Sequence, residues 1–374
     1  MKRTLHGKKK IFFVIPNLIS GGAQRTILNI LNAINSKKFN ITLIVYKKEG
    51  DLFFELDKKV KIISLNANNS FQFFYKLIFL IRKNKPDILF STIRLINFLC
   101  ILAVKLSFQK TKIIIRETNN HSEAKIDKTP LQMIIDKSYS YANLVIALSK
   151  GVASDINYRS NIDTDKLKVI YNPVNIDFIN KQKTKPLPNN YSKLFKNKND
   201  FKIINVGHLE YQKGQDLLID AVSQIKDKVK FKLFIIGEGS MRVELERKIE
   251  KLKLNKHVFL LGKQKNPYNF MAKSDLFILS SRWEGFGHVL VEAMATNTPV
   301  VSSNCNSGPN EIISHNLDGL LIKVNSKRSI VKSINLMYSD KNKRELFKKN
   351  GNKKKKVFMH KLITNTYEKE FEKL

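Results

Sequence analysis

The sequence predicts an α/β protein made of two doubly wound domains, each built on a parallel β-sheet. The chain has 374 residues, which suits two domains of ordinary size. Short apolar runs alternate with longer amphipathic segments, and this alternation is typical of βαβ units. The alternation stops near residue 172 and starts again near residue 200. We therefore expect two domains that face each other across a cleft.

The first domain is predicted over residues 1–175. The N-terminal apolar run ends at Pro16 after five residues, so it predicts a buried strand rather than a signal peptide. The predicted strands are Ile11–Ile15, Ile41–Tyr46, Val60–Leu65, Asp87–Ser91, Lys112–Arg116, Leu144–Leu148 and Lys168–Tyr171. The predicted helices are the segment that ends at Ile34, then Phe71–Lys83, Ile96–Leu106 and Leu131–Tyr141.

Residues 176–199 are predicted to form a linker, because prolines such as Pro186 and Pro188 occur there among many Lys and Asn residues. The second domain is predicted over residues 200–355. Residues 356–374 are charged with a helical pattern, and we expect them to pack back on the first domain. The strands predicted in the second domain are Ile203–Val206, Lys232–Ile236, Val258–Leu261, Leu276–Leu279, Val300–Ser302 and Gly319–Ile322, with helices over Gln215–Lys226, Met241–Leu252 and His288–Thr296.

Composition narrows the class of protein. Lys and Arg number 67 against 32 Asp and Glu, so the formal net charge is +35. That charge favours an anionic partner, either nucleic acid or an acidic membrane surface, although a genome rich in Lys, Asn and Ile codons is an alternative cause. Cys100 and Cys305 are too few for a disulfide scaffold or a four-cysteine zinc site. No apolar stretch approaches the ~20 residues of a spanning helix, so we expect a cytoplasmic protein, soluble or peripheral on the membrane.

A loop with two glycines, between a predicted strand and a predicted helix, carries the strongest chemical signal. Residues 282–294 have the sequence Arg-Trp-Glu-Gly-Phe-Gly-His-Val-Leu-Val-Glu-Ala-Met. The glycines let a ligand approach the backbone, and the amides at the helix start suit a phosphate. Glu284 and Glu292 flank this site, and a carboxylate accepts hydrogen bonds from vicinal sugar hydroxyls. Glu292 lies within an apolar run, where a charge is usually paired or functional.

This pair of glutamates, with seven residues between them, resembles the retaining glycosyltransferases of family 4, which have the GT-B fold of two Rossmann-like domains. Four further segments match the family in the same order, and together they make the resemblance specific. The Ser-Gly-Pro and early Gly-Gly-Ala elements are similar to a bacterial subgroup that adds hexoses or N-acetylhexosamines to lipopolysaccharide core, capsule or lipid-linked glycans. The matching segments are Asn17–Arg25, Val206–Gly214, Ile236–Gly239 and Ser307–Ile313.

The resemblance implies a reaction and its partners. The first domain would bind a glycan or lipid-linked glycan acceptor, and the second would bind a nucleotide sugar, usually UDP-linked. The chain would then be a retaining hexosyltransferase of cell-surface glycan synthesis, such as that of lipopolysaccharide, capsule or O-antigen. No metal or other cofactor is implied. Asp163-Thr164-Asp165 has the Asp-x-Asp pattern of metal-dependent transferases, but its polar surroundings predict a surface loop.

The resemblance also implies roles for particular residues. Glu292 would hold the ribose hydroxyls, Glu284 would contact the donor sugar, and Lys213 would neutralise the departing diphosphate. His121 is a candidate contact to the donor sugar, with a solvated loop histidine as the alternative. The other implied donor contacts are Gly21, Gly22, His208, Gly237, Glu238, Arg282, Gly285, Phe286, Gly287, His288 and Val289.

His208 departs from the family pattern, which usually has Arg at this position. Arginine carries a permanent charge, whereas histidine can be neutral at pH 7. Either His208 is protonated beside the diphosphate, or Arg282 or Arg25 compensates for the missing charge. The alternative is that His208 is a turn histidine with no role in binding charge.

The segment Phe71–Arg82 combines aromatic residues with cations, which fits a helix lying on anionic lipid as well as a buried helix that covers the sheet. With the high net charge, it predicts association with an anionic membrane surface.

Two other functions stay open. One is a basic protein that binds nucleic acid or anionic lipid without turnover, although the sequence lacks nucleic-acid recognition motifs and no specific nucleic acid is expected. The other is a GT-B nucleotide-sugar epimerase.

Overall fold

The computed structural model describes residues 7–19, 21–124 and 129–374. The chain divides into two compact units. The first comprises the residues up to Pro173 together with His360–Leu374, and the second comprises Val174–Met359. Each unit contains one parallel sheet with its own hydrophobic core. The predicted α/β class with two doubly wound sheets is confirmed.

The first unit has seven strands, all paired in parallel with their neighbours. The strands are β1 (Lys9–Ile15), β2 (Phe39–Val45), β3 (Lys61–Ser64), β4 (Ile88–Thr92), β5 (Lys112–Glu117), β6 (Leu144–Ala147) and β7 (Leu167–Val169). The helices are α1 (Gly22–Ala33), α2 (Ser70–Asn84), α3 (Arg94–Ser107), α4 (Pro130–Ser138) and α5 (Lys150–Ser160). The strand order across the sheet is β3-β2-β1-β4-β5-β6-β7.

Continuous apolar runs form the central strands because helices cover both faces of a parallel sheet. In β1, every residue of Ile11–Ile15 is buried. In register, Phe13 lies opposite Leu43 of β2 on one side and Phe90 of β4 on the other. These apolar side chains form the centre of the first unit's core.

The second unit has six parallel strands in the order β10-β9-β8-β11-β12-β13 once they are numbered along the chain. These strands are β8 (Phe201–Val206), β9 (Phe231–Ile236), β10 (Val258–Leu260), β11 (Leu276–Leu279), β12 (Val300–Ser303) and β13 (Leu320–Ile322). Its helices are α6 (Ile176–Gln182), α7 (Asn189–Phe195), α8 (Gln215–Ser223), α9 (Arg242–Lys251), α10 (Tyr268–Ala272), α11 (His288–Ala295), α12 (Pro309–Ile312), α13 (Lys327–Ser339) and α14 (Lys341–Lys354).

The structure differs from the predicted linker over residues 176–199. These residues carry α6 and α7, which belong to the second unit. Ile176 and Ile179 are buried, and the Phe195 ring stacks on Phe234 with 4.1 Å between ring centroids. Each helix has only seven residues, so its apolar periodicity is too short to stand out among the Lys and Asn residues.

The last helix, α15 (His360–Lys373), belongs to the first unit rather than to the second. Its Phe371 ring meets Phe13 and Phe90, each with 6.0 Å between ring centroids. Its Tyr367 hydroxyl accepts a hydrogen bond from Nε of Arg116, which is completely buried in β5. The chain therefore returns to the first core after the second unit is complete.

Each sheet has a point where the chain stops adding strands on one side and continues on the other. This switch point lies between β1 and β4 in the first unit and between β8 and β11 in the second. Ligands of open parallel sheets bind beyond the carboxyl ends of the strands at such a point, because the loops there diverge.

Candidate functional site

Two loops meet at the switch point of the second unit. One follows β8 over residues 207–214, and the other follows β11 over residues 280–287. The Arg282 amide donates to the Gln212 carbonyl at 2.7 Å, and Gln212 Nε2 donates to the Trp283 carbonyl at 3.0 Å. Ser280 Oγ donates to the Lys213 carbonyl at 3.0 Å. These bonds dock the two loops on each other and fix the side chains that they carry.

Lys213 and Glu284 come together from these two loops. Lys213 Nζ lies 2.6 Å from Glu284 Oε1, and Ser281 Oγ donates to the same oxygen at 2.7 Å. Glu284 is only 5% exposed. An ammonium group has three N–H donors, and the described residues take one of those of Lys213. The pair therefore presents an ammonium group that has further N–H donors beside a fixed carboxylate.

Helix α11 begins directly after the second loop. Its N-cap is Gly287, in the left-handed region at φ 84°, and among the described residues no side-chain hydrogen bond caps this end of the helix. The positive φ suits glycine because it has no Cβ. Gly285 and Phe286 are buried, whereas His288 and Val289 are partly exposed. A helix start of this kind favours an anion, because its amides and the helix dipole point towards it.

Glu292 lies one turn further along α11, and its side chain is partly buried. Its Oε1 accepts a hydrogen bond from the Tyr268 hydroxyl at 3.1 Å and lies 3.5 Å from His288 Nε2. The glutamate thus has side-chain partners from both α10 and α11. A carboxylate oriented in this way can accept hydrogen bonds from two neighbouring hydroxyls.

Arg282, Glu238 and His208 were also predicted to contact the donor. In the structure Arg282 and Glu238 pair with other side chains, and Glu238 and His208 are exposed. Arg282 forms two hydrogen bonds with Asp216, at 2.9 and 2.7 Å. Burial alone would raise the pKa of Asp216, but the hydrogen bond and charge of Arg282 hold that pKa below its usual range. Glu238 is exposed and pairs with Arg242 at 2.7 Å. His208 is also exposed, and its carbonyl accepts from Gln215 Nε2 at 3.0 Å.

Gly237 has a structural explanation. Its φ is +150°, and a Cβ added there would lie 1.9 Å from the Gly207 carbonyl oxygen. A side chain at this position would therefore push apart the loops that follow β8 and β9. The glycine is required by this close backbone approach, whatever else it contacts.

The first unit's loop after β1 carries Gly21 and Gly22. Gly21 is the N-cap of α1, and the Gly22 carbonyl accepts from Thr26 Oγ1 at 2.9 Å. A Cβ added at Gly22 would meet none of the described residues within 4 Å. Arg25, one of the cations considered as a replacement for the missing Arg, pairs with Glu55 at 2.5 Å. Ser20 of the same motif lies outside the described residues.

His121 lies in the loop after β5 and is 6% exposed, so the alternative of a solvated loop histidine is wrong. Its Nε2 lies 3.2 Å from Glu117 Oε1, and Tyr139 donates to Glu117 Oε2 at 2.5 Å. Burial alone would raise the pKa of Glu117. The hydrogen bonds and charge of His121, with the hydrogen bonds from Tyr139 and the Thr118 amide, hold that pKa below its usual range. His121 is therefore oriented by a buried carboxylate.

Two sequence models of known families match the chain, one in each half. The model described as "Glycosyltransferase Family 4" matches residues 20–178, and the one described as "Glycosyl transferases group 1" matches residues 188–354. Together they span most of both units.

The chain belongs to the family 4 glycosyltransferases.

Individual relatives agree with this membership. A Campylobacter jejuni protein, named N-acetylgalactosamine-N,N'-diacetylbacillosaminyl-diphospho-undecaprenol 4-alpha-N-acetylgalactosaminyltransferase, is 28% identical over 94% of this chain and 96% of its own length. An uncharacterized glycosyltransferase of Methanocaldococcus jannaschii is 32% identical over 64% of this chain and 61% of its own length. The crystal structure of Anabaena HepE in complex with UDP-glucose superposes with a TM-score of 0.84 at 21% identity, covering 98% of this chain and 100% of that one. This last likeness confirms the GT-B fold.

Sequence reasoning missed several residues that shape the site of this glycosyltransferase. Tyr268, Asp216 and Glu117 each hold a predicted site residue, but none of them stands in a recognised motif. Asp216 and Arg282 are 66 residues apart, so only the fold brings them together. The Asn-Pro-Tyr turn at residues 266–268 is the one signal that could have drawn attention to Tyr268.

The Asp-x-Asp pattern of this glycosyltransferase lies at the surface. Asp163 and Asp165 are both exposed, next to the short strand β7. In the part of the chain that the structure describes, no three His, Cys, Asp or Glu side chains are grouped so that they could hold a metal ion.

Proposed function

We propose that this glycosyltransferase moves a hexose or N-acetylhexosamine from a UDP-sugar to a lipid-linked or polysaccharide acceptor, with retention of the anomeric configuration, in cell-surface glycan synthesis. The observation that carries the proposal is the convergence of Lys213, Glu284 and the start of α11 at one switch point. The named activity of the Campylobacter relative and the UDP-glucose in the HepE structure support the acceptor and donor classes.

The chemistry requires stabilisation of a leaving diphosphate above all. The bond between the anomeric carbon and the phosphate oxygen breaks, and UDP departs with the electron pair. In the proposed reaction, the remaining N–H donors of Lys213 and the start of α11 stabilise the growing negative charge. These groups supply fixed positive potential, so the proposed reaction requires no metal.

The incoming acceptor hydroxyl forms the new bond on the face that the diphosphate leaves. Its proton passes to the departing phosphate oxygen, so no protein base is assigned. Glu284 is held by Lys213 and Ser281, and we assign it to the hydroxyls of the donor sugar. Glu292 is assigned to the two ribose hydroxyls of UDP, since a carboxylate accepts from a vicinal diol.

The test is a UDP-release assay with UDP-glucose, UDP-galactose and their two N-acetyl counterparts, each with and without a polyprenyl-diphosphate-linked glycan, all in EDTA. We expect UDP release that requires the acceptor and survives EDTA. Release of UDP and free sugar without acceptor would point to the epimerase alternative. If no UDP-sugar turns over while the protein binds DNA in a salt-dependent manner, the proposal is overturned in favour of a basic nucleic-acid-binding protein.

Membrane association is a second part of the proposal, and the exposed face of α2 favours it. Phe71, Tyr75 and Phe79 are 77%, 55% and 50% exposed, at intervals of four residues along one face of the helix. On the opposite face of α2, Phe73 and Leu77 are buried. The helix therefore has one exposed aromatic face, as a lipid-bound helix would, and one buried face, as a helix that covers the sheet would. No helix in the described residues has the length and apolar composition to cross a bilayer.

Cations border this aromatic face. Arg82 and Lys83 lie in the last turn of α2, and the Arg82 guanidinium lies 5.9 Å from the ring of the exposed Phe108. Aromatic rings beside Lys and Arg suit the headgroup region of an anionic membrane. We therefore propose that the protein is peripheral on the cytoplasmic face of the membrane, where a lipid-linked acceptor would be met.

A further inference from the structure

Tyr268 is placed to control the orientation of Glu292. It is the first residue of α10 and is buried, with 6% of its surface exposed. Its hydroxyl donates to Glu292 Oε1 at 3.1 Å. The terminal torsion of a glutamate side chain is broad, so a carboxylate without a partner rotates among many orientations. A hydrogen bond from a buried phenol restricts that rotation.

Tyr268 is itself held from two directions. Its ring meets the edge of Phe178 from α6, with 6.1 Å between centroids and an angle of 90° between the planes. Its amide donates to Asn266 Oδ1 at 3.2 Å, and Asn266 Nδ2 donates to the Gln182 carbonyl at 2.8 Å. The tyrosine hydroxyl is therefore carried on a ring and a backbone that are both fixed.

The segment that contains Phe178 and Gln182 also binds the C-terminal end of α11. Lys183 Nζ donates to the carbonyl of Ala295, the last residue of that helix, at 3.1 Å. Residues 178–183 thus make two contacts near Glu292. Lys183 binds the helix that bears Glu292, and Phe178 packs against Tyr268, whose hydroxyl binds Glu292. This arrangement gives a function to a segment that the sequence alone predicts to be a linker.

We propose that Tyr268 is a positioning residue for recognition of the vicinal diol of the nucleotide. Its hydroxyl fixes one oxygen of Glu292 and so turns the carboxylate plane towards the two ribose hydroxyls. A carboxylate has about four lone-pair sites, so a glutamate held through Oε1 still accepts both hydroxyls of a diol. The inference rests on the proposed function, since it assumes that Glu292 meets the ribose.

The experiment compares the binding of UDP and 2′-deoxy-UDP by calorimetry in three proteins: wild type, Tyr268→Phe and Tyr191→Phe. Tyr191→Phe is the matched control, because Tyr191 is a partly buried tyrosine of the same unit whose hydroxyl donates to the Leu261 carbonyl at 3.1 Å. We expect wild type and Tyr191→Phe to prefer UDP about tenfold, the value of one hydrogen bond to a charged group. In Tyr268→Phe the preference should fall to about twofold or less.

A second measurement separates positioning from a merely structural role. In a Glu292→Ala background, Tyr268→Phe should change UDP affinity by less than about twofold, because the carboxylate that it orients has been removed. This comparison is made within one background, so it does not depend on how stable either single variant is.

The outcomes distinguish the two proposals. If Tyr268→Phe keeps the wild-type preference for UDP over 2′-deoxy-UDP, or weakens UDP binding equally in both backgrounds, the positioning role is overturned and the proposed function stands. If wild type binds UDP without preferring the ribose, the positioning role is likewise overturned. If wild type binds no UDP, the proposed function itself is overturned.

Discussion

Lys213 is the residue on which the proposed chemistry depends most. Its ammonium group is fixed by Glu284, which itself accepts a hydrogen bond from Ser281. Sequence reasoning selected Lys213 from a motif, and the structure shows why its position is exact: its loop is docked on the loop that follows β11. A preorganised cation lowers a barrier most when it is aimed at charge that grows in the transition state.

Replacing Lys213 by alanine should therefore slow turnover more than it weakens donor binding. We expect kcat to fall about 100- to 1000-fold, as for the loss of one oxyanion-stabilising donor, with a smaller change in UDP-sugar affinity. Lys248→Ala is the control, since Lys248 also pairs with a carboxylate, that of Asp220, at 2.8 Å. Steady-state kinetics of both variants measure the effect, and equal losses in the two would contradict the role of Lys213.

Residue types alone did not reveal the partners of Arg282. The sequence shows a cation two positions before Glu284, and a phosphate contact is a natural expectation. In the structure, its guanidinium lies over the ring of Tyr211, at 3.8 Å, and binds Asp216. Partners of this kind depend on how strands and loops assemble, so periodicity and motif spacing do not reveal them. The same reason explains why Tyr268 was not predicted.

Elements were easier to predict than contacts. The apolar runs located the strands of both sheets because buried parallel strands are nearly continuous in Ile, Val, Leu and Phe. Short helices were harder, and α6 and α7 were predicted as a linker. Burial of the turn around Lys355 was also invisible in the sequence, because residues 353–356 are all lysines.

Lys355 makes the stability of this region depend on pH. It is buried near α11, and burial together with the charges of Lys183 and Lys356 lowers its pKa to about 8. In the unfolded chain its pKa returns to the ordinary 10.5. Below pH 8 the folded protein must therefore carry a disfavoured charge. This cost disappears as the pH rises from about 8 to above 10. Over that range the folded state has lost the proton that the unfolded state still binds, so the free energy of unfolding rises with pH.

Lys355→Met should consequently raise the thermal midpoint at pH 7 and change it much less at pH 10. Lys353→Met removes an exposed charge two positions earlier and serves as the control. Scanning calorimetry at the two pH values measures the difference between the two shifts. A shift of the same size at both pH values would contradict the burial of a charged Lys355.

Helix α15 ties the end of the chain into the first core. Phe371 is fully buried, and its ring contacts Phe13, Phe39 and Phe90. Phe371→Ala should lower the free energy of unfolding of the first unit by about 3–5 kcal/mol, the usual cost of removing a buried aromatic ring. Urea unfolding followed by circular dichroism measures it. Phe54→Ala, at a residue that is 95% exposed, should change the free energy by less than about 0.5 kcal/mol.

At the scale of the whole molecule, the net charge of +35 and the aromatic face of α2 lead to a joint prediction. Wild type should sediment with vesicles that contain phosphatidylglycerol but not with phosphatidylcholine alone, and the binding should weaken as salt is added. Replacing both Phe71 and Phe79 by serine should reduce binding more than tenfold, since each buried ring contributes roughly 1.5–3 kcal/mol.

The exposed Phe54 provides the control for this experiment as well. It lies in the turn Asp51–Glu55, which packs against α1, so Phe54→Ser should leave vesicle binding unchanged. Equal losses in the Phe71/Phe79 and Phe54 variants would mean that charge and nonspecific hydrophobic contacts, rather than the exposed face of α2, bind the protein to the lipid.

We propose that the loops after β8 and β11, with α11, form the nucleotide-sugar site. Calorimetric titration of UDP into wild type and Glu292→Ala, in EDTA, measures the contribution of α11 to that site. Glu246→Ala serves as the control, because Glu246 is a half-exposed glutamate paired with Arg242 on α9. We predict that wild type and Glu246→Ala bind UDP equally, and that Glu292→Ala binds at least about tenfold more weakly. Equal affinity in all three proteins would mean that Glu292 does not bind the nucleotide and that the site lies elsewhere.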